Sequence, residues 1–482
     1  MSPSIALLIC IVGVAGLFYL DRDNSVHTSP ALWLPCIWLA IAGSRPVSVW
    51  FGISLAPGTD AQLDGSPADR LIFQVLLVAA ITVLIFRAER TRAFLTANWP
   101  ILIYLFYCLV SVVWSDYQEV AAKRWIKAIG DLAMVLIVVT DASPAKAFKR
   151  LISRVGFVLL PASILLIKYY GYLGRGYDPS GDQMNTGVTT NKNSLGVITL
   201  VITLGVLWNV LELLRAKDRP NRGRHLLAQG VLLAFGVTLL VMAQSATSQA
   251  CFILGGALML VTRLPIVRRR PAAVHALVLT LFLVGGLTFF FGGGDDVVHA
   301  LGRQSNLTGR TDIWAAVIPV VPNKIVGAGY ETFWLGPRLN AVWHNLPRYM
   351  SVNEAHNGYI EMYLNLGWVG VGLIALILIT GYGRVVGAFR RDPAVGGLWL
   401  AYLFAAAFYS ITEAGFRLLN PIWIFLLLAI VAAGGVARGV GAIQPVGVTP
   451  KRSPWLPATS AGQIAPSSGS TATRDLAALR RS

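Results

Sequence analysis

The sequence predicts an all-α fold: a polytopic integral membrane protein with about 12–13 transmembrane helices and a large, partly helical extracytoplasmic loop. Three observations predict it. Of the 482 residues, 55% are hydrophobic and 13% are charged, whereas a soluble domain carries about a quarter charged residues. The apolar residues form continuous blocks long enough to cross a bilayer, and such blocks indicate helices rather than an alternating barrel pattern. The basic residues concentrate in alternate loops, which is typical of membrane proteins.

Thirteen apolar segments are candidate spans, with bounds accurate to a few residues. They are residues 5–20, 31–43, 71–87, 98–114, 125–140, 152–169, 193–213, 226–243, 246–262, 273–291, 359–381, 396–412 and 420–438. The first has no basic residue before it and no small-residue cleavage site at its end, so we expect a span rather than a cleaved signal peptide. The four cysteines lie in apolar stretches without ligand spacing, so we expect neither a disulfide nor a metal.

Three arginine-dense segments set the orientation: Arg215–Arg224, Arg263–Arg270 and Arg384–Arg391. Threading alternately from them gives one face about 26 of the 40 Lys and Arg residues and about 8 of the 23 acidic residues. Basic loops stay in the cytoplasm. The formal net charge of +17 therefore reflects membrane orientation and requires no nucleic-acid partner. The C-terminus is predicted to be cytoplasmic.

The chain divides into four predicted parts. They are N-terminal membrane helices (1–291), a large outer loop (292–357), C-terminal membrane helices (358–438) and a disordered cytoplasmic tail (439–482), which is rich in Pro, Ser, Gly, Ala and Thr. Long loops are usually functional or disordered, and this one has enough aromatic residues to pack. Within it, Thr308 to Val321 is predicted to form an amphipathic helix lying on the membrane. The segment 171–192 and the turn 412–420 are also predicted to lie outside.

The stretch from Asn306 to Trp314 places Arg310 near the start of the predicted loop helix. Helix N-termini present free N–H groups, and an arginine beside them suits a phosphate or a diphosphate. The alternative is a surface ion pair between Arg310 and Asp312. The residues alone leave both interpretations open.

His356 lies where the outer loop meets a membrane span, just before Asn357. A histidine at this depth is partly desolvated and can hold a proton near neutral pH. Glu361, about one turn further along, is expected to orient the imidazole or balance its charge. The alternative is a histidine that only makes a hydrogen bond at the start of a helix.

Arg175 and the Asn-rich motif 187–196 crowd the outer end of another predicted span. Their basic and amide side chains suit an anionic headgroup. The alternative is that Asn193 caps the helix while Lys192 extends its charge to the interface. Walker, dinucleotide, zinc and calcium motifs are absent from the sequence, so we predict no cofactor and no metal.

Two motifs carry a resemblance to a known family: TGRTDIW at 308–314 and HNGYIEMYLNLGWVG at 356–370. Five further motifs support it: SRPVSVW at 44–50, DGSPADR at 64–70, VWSDYQEVAAKRW at 113–125, GVTTNKNSLG at 187–196 and QSATSQ at 244–249. In this order, they resemble the O-antigen ligase / O-antigen polymerase superfamily, and within it the ExoQ-type exopolysaccharide branch. The resemblance covers most of residues 30–435.

This resemblance implies an inverting glycosyltransferase of the bacterial inner membrane with its active site facing the periplasm. The donor would be a polyprenyl-diphosphate-linked oligosaccharide and the acceptor a glycan. The family's loop arginine and histidine match Arg310 and His356, which we expect to be catalytic. A further family arginine matches Arg175, and relatives often have histidine where Asn191 stands. The predicted substrate-binding residues are Arg175, Lys192, Asn357, Glu361 and Arg417.

Three functions compete. A polymerase of repeat units is favoured because the N-terminal motifs resemble the exopolysaccharide branch. A ligase would transfer the same glycan to lipid A core or to a protein. A transporter of the lipid-linked oligosaccharide would show an internal repeat and broken helices at midplane, and the sequence has no such repeat. Implied partners are membrane lipids and the flippase and chain-length regulator of the same pathway.

Overall fold

The computed structural model describes residues 1–23, 27–53, 65–177, 181–290, 308–347 and 352–437. The regular secondary structure of these residues is almost entirely α-helical, as predicted. The helices are α1 (Pro3–Leu20), α2 (Trp33–Ala42), α3 (Val47–Trp50), α4 (Pro67–Phe86), α5 (Ala88–Ala97), α6 (Trp99–Val110), α7 (Gln118–Val139), α8 (Pro144–Tyr169), α9 (Gly171–Gly174), α10 (Lys192–Arg215), α11 (Arg222–Ala243), α12 (Ala246–Val261), α13 (Pro265–Arg269), α14 (Pro271–Phe290), α15 (Thr308–Val317), α16 (Gly336–His344), α17 (Gly358–Arg391), α18 (Pro393–Thr412) and α19 (Pro421–Ala437).

The remaining regular structure is short. Strands β1 (Arg175–Tyr177) and β2 (Gln183–Asn185) form one antiparallel pair, with Gly176 opposite Met184. Short 3-10 turns occupy Pro30–Leu32, Ser111–Trp114 and Ile318–Val320. The predicted disordered tail and residues 292–307 of the predicted loop lie outside the described residues.

Each predicted span coincides with a helix, and the chain is a multi-pass membrane protein. Seven helices are long and apolar enough to cross a membrane, or up to eight if Ala88–Ala97 and Trp99–Trp114, bent by 86°, form one broken span. Shorter apolar helices account for four further predicted spans: Pro30–Ala42, Ala246–Val261, Ala272–Val284 and Pro421–Gly435. The one predicted span that remains, residues 125–140, lies in α7, whose second half is buried and apolar.

One hydrophobic core joins the two predicted sets of membrane helices. Helix α18 lies within it and is buried along almost its whole length. Tyr402 of α18 donates to the carbonyl of Val201 in α10 at 2.7 Å, and Trp208 of α10 donates to the carbonyl of Ala394 at 2.9 Å. The predicted boundary at residue 291 therefore separates the helices only in the sequence. The described helices before and after it pack in one core.

The outer loop and several helix connections meet at one end of the bundle, which we call the loop face. Thr332 of the loop shares a 2.9 Å hydrogen bond with Ser115, which follows α6. Thr247, at the start of α12, shares one of 2.8 Å with Thr412 at the end of α18. The opposite end carries the three arginine-dense segments, and we call it the arginine-rich face.

The outer loop has a small hydrophobic core of its own. Ile313 and Val317 of α15 are buried against residues such as Phe333, Val342 of α16 and Leu364 of α17. The helix predicted after Thr308 is thus present, but other parts of the protein cover its buried apolar side chains. One side of the helix therefore packs into the loop, and its position on the membrane stays a prediction.

Candidate active site

His356 is held at the loop face by the residue that starts α17. Asn357 caps this helix, since its side-chain oxygen accepts from the N–H groups of Tyr359 at 2.9 Å and Ile360 at 3.0 Å. The amide nitrogen of Asn357 donates to the carbonyl of Ile411 at 2.9 Å, which ties the start of α17 to the end of α18. Asn357 therefore has a structural role, and it places the preceding His356 beside the turn that follows α18.

Glu413 in that turn joins three segments that are far apart in the sequence. Its Oε1 accepts from Nη2 of Arg310 at 2.8 Å, and its Oε2 accepts from Nδ2 of Asn193 at 3.0 Å. Nδ1 of His356 lies 3.3 Å from the same Oε2. The Glu413 side chain is only 5% exposed, so these contacts are largely protected from water. Arg310 pairs with Glu413 and not with Asp312, the partner that the surface-pair interpretation predicted.

A second group of charged side chains also includes His356. Nδ1 of His356 lies 3.1 Å from a carboxylate oxygen of Glu354, and the other oxygen of Glu354 lies 3.7 Å from Arg417. Arg417 also donates to Glu331 from Nε and Nη2, at 3.3 and 3.2 Å. Arg124 of α7 donates to the backbone carbonyl of Glu331. Basic and acidic groups therefore alternate across the site.

The environment of His356 sets its proton affinity. Burial lowers the pKa of the imidazole, but the hydrogen bond to Glu413 and the charges of Glu354 and Glu413 outweigh it, so the pKa lies above its usual value of 6.5. In the tautomer that donates Nδ1–H to a carboxylate, Nε2 is the atom left to accept a proton. His356 is 27% exposed at its side chain, which leaves the ring accessible. This arrangement suits a general base.

Glu361 does not have its predicted role beside His356. Its side chain is fully buried and accepts from Nε1 of Trp334 at 3.0 Å and from the N–H of Ala355 at 2.6 Å. Asn365 donates to the same carboxylate at 3.4 Å. The helical turn between residues 357 and 361 directs Glu361 into the loop core. Glu361 therefore fixes the loop to α17, and the prediction that it binds substrate is incompatible with its burial in this conformation.

The third predicted cluster is split. Lys192 and Asn193 begin α10, and Asn193 contacts Glu413. Asn191 is the residue that caps this helix, accepting from the N–H of Ser194 at 2.8 Å. The alternative in which Asn193 is the cap is therefore wrong. Arg175 lies in the hairpin, exposed, and donates from Nε to the carbonyl of Ile167 at 2.9 Å. Contacts in the described part of the chain do not join Arg175 to Arg310.

Among the described residues, one group of three side chains offers donor atoms to a cation. Glu354, His356 and Glu413 each contribute one potential ligand atom, all within 4.8 Å of one another. However, Arg310 and Arg417 already pair with these two carboxylates. A divalent cation would face repulsion from both guanidinium groups. The positive charge that could act on a substrate here is supplied by arginine.

The predicted sites did not include Glu413, Glu354, Glu331 or Arg124. In the sequence, Glu413 lies in the short turn after a span, and Glu354 lies two residues before His356. An acidic residue at a span boundary is therefore the pattern from which both could have been predicted. Glu331 has no such signal. Its backbone φ is +55°, a left-handed conformation that only the structure reveals.

The described residues of the five supporting motifs also gather at the loop face. The N–H of Arg45 donates to the carbonyl of Val188 at 2.9 Å, which joins the first motif to the Asn-rich motif. Ser48 donates its N–H to Asp69 at 2.9 Å, which joins the first motif to the second. These contacts join three motifs that are far apart in the sequence.

The chain is similar in sequence to known proteins. Residues 231–375 match the family model described as O-antigen ligase, a range that includes Arg310 and His356. The chain is also 25% identical over 373 residues to the exopolysaccharide production protein ExoQ of Rhizobium meliloti (strain 1021), covering 73% of this chain and 81% of that relative. Both similarities support the O-antigen ligase/polymerase superfamily. They support a membrane enzyme of the ligase/polymerase type that is similar to ExoQ.

Proposed function

We propose that this protein polymerises polyprenyl-diphosphate-linked oligosaccharide repeat units by inverting glycosyl transfer. The observation that carries the proposal is the contact of Arg310 and His356 with the same buried carboxylate, Glu413. Arg310, a cation for the leaving group, and His356, a base for the acceptor, thus contact the same carboxylate. Transfer from a lipid diphosphate requires these two functions and no redox group.

Arg310 would hold the donor diphosphate. Its side chain is 20% exposed, and the contact with Glu413 uses one of its five N–H donors, so others remain for phosphate oxygens. Charge develops on the diphosphate oxygen as its bond to the anomeric carbon breaks, and a fixed guanidinium stabilises that charge. Arg417, itself held by Glu331 and Glu354, is the second cation of the same surface. We therefore assign to Arg417 the role of second diphosphate-binding arginine, which the sequence analysis assigned to Arg175.

His356 would remove the proton of the acceptor hydroxyl through Nε2. The acceptor oxygen attacks the anomeric carbon on the side opposite the diphosphate, the glycosidic bond forms, and the polyprenyl diphosphate leaves. Glu413 keeps Nδ1–H as the donor, so that Nε2 presents its lone pair, and it stabilises the imidazolium that results. A raised pKa strengthens the base, provided that the ring is neutral before the reaction.

Polymerase and ligase differ only in the acceptor. The relative's printed name, an exopolysaccharide production protein, favours the polymerase. The matching family model, described as O-antigen ligase, favours transfer to lipid A core or to a protein. Analysis of the polysaccharide in a deletion strain separates the two. Unpolymerised single repeat units support the polymerase, and free polymer that lacks its final attachment supports the ligase and overturns the polymerase.

The loop face would then lie in the periplasm and the C-terminus in the cytoplasm of the inner membrane. A reporter that is active only in the periplasm tests this orientation. Fused within residues 321–324 of the loop it should be active, and fused after Arg438 it should be silent. The reverse pattern would contradict both the orientation and a periplasmic reaction.

A further inference from the structure

A cavity lies on the opposite side of the molecule, at the arginine-rich end of α1, α2 and α8. Its volume is about 540 Å³. Part of its lining is apolar and aromatic, from Phe18, Trp33 and Phe157, and part is basic, from Arg150 and Arg154. It lies far from Glu413 and the candidate active site. The cavity is lined by the part of α8 near the arginine-rich face, whereas the candidate active site lies at the loop face.

Arg154 is the group that defines this cavity. Its guanidinium lies over the ring of Trp33, 4.2 Å from the centroid. One nitrogen, Nη1, is buried and has no hydrogen-bond partner among the described residues. Buried donors of native proteins almost always have a partner, and a charged donor needs one most. The cavity beside Arg154 is the space in which such a partner can lie.

The acidic residues of the cavity are already engaged elsewhere. Asp21 accepts from Gln229 at 3.1 Å and lies 3.4 Å from His225. Asp23 is paired with Arg219 at 3.1 Å. Arg219, which is not part of the cavity lining, offsets the charge of Asp23, whereas Gln229 only donates a hydrogen bond to Asp21. Three arginines, Arg22, Arg150 and Arg154, line the cavity beside that one remaining carboxylate. The cavity therefore keeps an excess of positive charge that can attract an anion.

We propose that this cavity binds an anionic phosphate ester, with the phosphate on Arg154. Arginine matches phosphate geometry with two parallel donors. The aromatic lining suits the glycerol and acyl portion of a phospholipid, and Trp33 is 49% exposed, as expected for a ring at a membrane interface. Basic pockets between helices on the cytoplasmic side bind acidic lipid headgroups by this chemistry. A phospholipid headgroup and free phosphate share it, and the test separates them.

The full-length protein, purified in detergent, is titrated with phosphatidylglycerol, with phosphatidylcholine and with inorganic phosphate, and bound species are counted by native mass spectrometry. We expect one phosphatidylglycerol to be retained in preference to phosphatidylcholine. Arg154→Gln should weaken this retention at least tenfold, which corresponds to the loss of one charge-assisted hydrogen bond. Arg269→Gln is the matched control, since it removes an exposed arginine from the same face and should retain the lipid like the wild type.

Arg154→Lys keeps the charge and guards against a folding defect in Arg154→Gln. It should fold and bind several-fold more weakly, because lysine lacks the paired donors. Displacement of the lipid by millimolar inorganic phosphate would support the same site with free phosphate as its ligand. Equal retention of the two lipids, or unchanged retention in both Arg154 variants, would overturn the proposal.

Discussion

Replacing Glu413 by glutamine exchanges one carboxylate oxygen for an NH₂ group at the centre of the candidate active site. The carboxylate accepts from Arg310 at 2.8 Å and contacts His356 at 3.3 Å. The amide has one acceptor oxygen, and its NH₂ group faces donors that it cannot satisfy. A hydrogen bond to a charged group contributes about 1.5–3 kcal/mol, so the loss of both removes about 3–6 kcal/mol. At about 1.36 kcal/mol per tenfold change, turnover should fall by about 10²–10⁴-fold.

The assay is product formation by purified protein from a lipid-diphosphate-linked repeat unit, with the free energy of unfolding measured in parallel. Glu119→Gln is the matched control, since it makes the same chemical change at an 81% exposed glutamate in a surface ion pair with Lys123. It should leave turnover unchanged. If Glu413→Gln were folded and as active as Glu119→Gln, then Glu413 would neither orient the base nor hold Arg310, and the assignment of this cluster would be refuted.

Three further predictions concern the same site. Arg310→Ala should abolish polymer formation while Arg310→Lys leaves little, because lysine replaces paired donors with a point charge. Near wild-type polymer from Arg310→Ala would contradict the proposal that Arg310 holds the donor diphosphate. Glu354→Gln removes a charge that raises the pKa of His356, so the pKa should fall and the acid limb of the kcat/KM profile should move to lower pH. Asp312→Asn changes an exposed acid and should leave that limb where it is. A chelator should leave turnover unchanged, since arginine supplies the positive charge; loss of activity that Mg²⁺ restores would assign Glu354, His356 and Glu413 to a metal.

The membrane helices could be predicted because a bilayer requires a minimum length of apolar sequence. Their ends could not, because helices continue beyond the apolar part. Helix α8 was predicted from residue 152 but begins at Pro144, with the basic residues Lys146 to Arg154 in its first turns. Helix α17 was predicted to end at residue 381 and continues to Arg391 for the same reason. The three-residue strands of the hairpin are too short to give a periodic signal.

The candidate site was only partly predictable. Arg310 and His356 stand in motifs at a helix start and a span boundary, and the structure brings them together. Glu413 is 57 residues beyond His356, and that contact depends on how α17 and α18 pack. Glu361 was expected to contact His356 because they are about one helical turn apart. That spacing does not apply, because His356 precedes the helix and has a φ of +48°.

Separate measurement of donor binding and turnover in His356→Gln tests the central claim most directly. Glutamine keeps a hydrogen-bonding group at the position but cannot accept a proton near neutral pH. A positioned base contributes about 10²–10⁴-fold to rate, so the variant should bind the lipid-diphosphate donor as the wild type does and lose turnover by that factor. Wild-type turnover in His356→Gln would contradict the account, because proton removal would then belong to another group or to water.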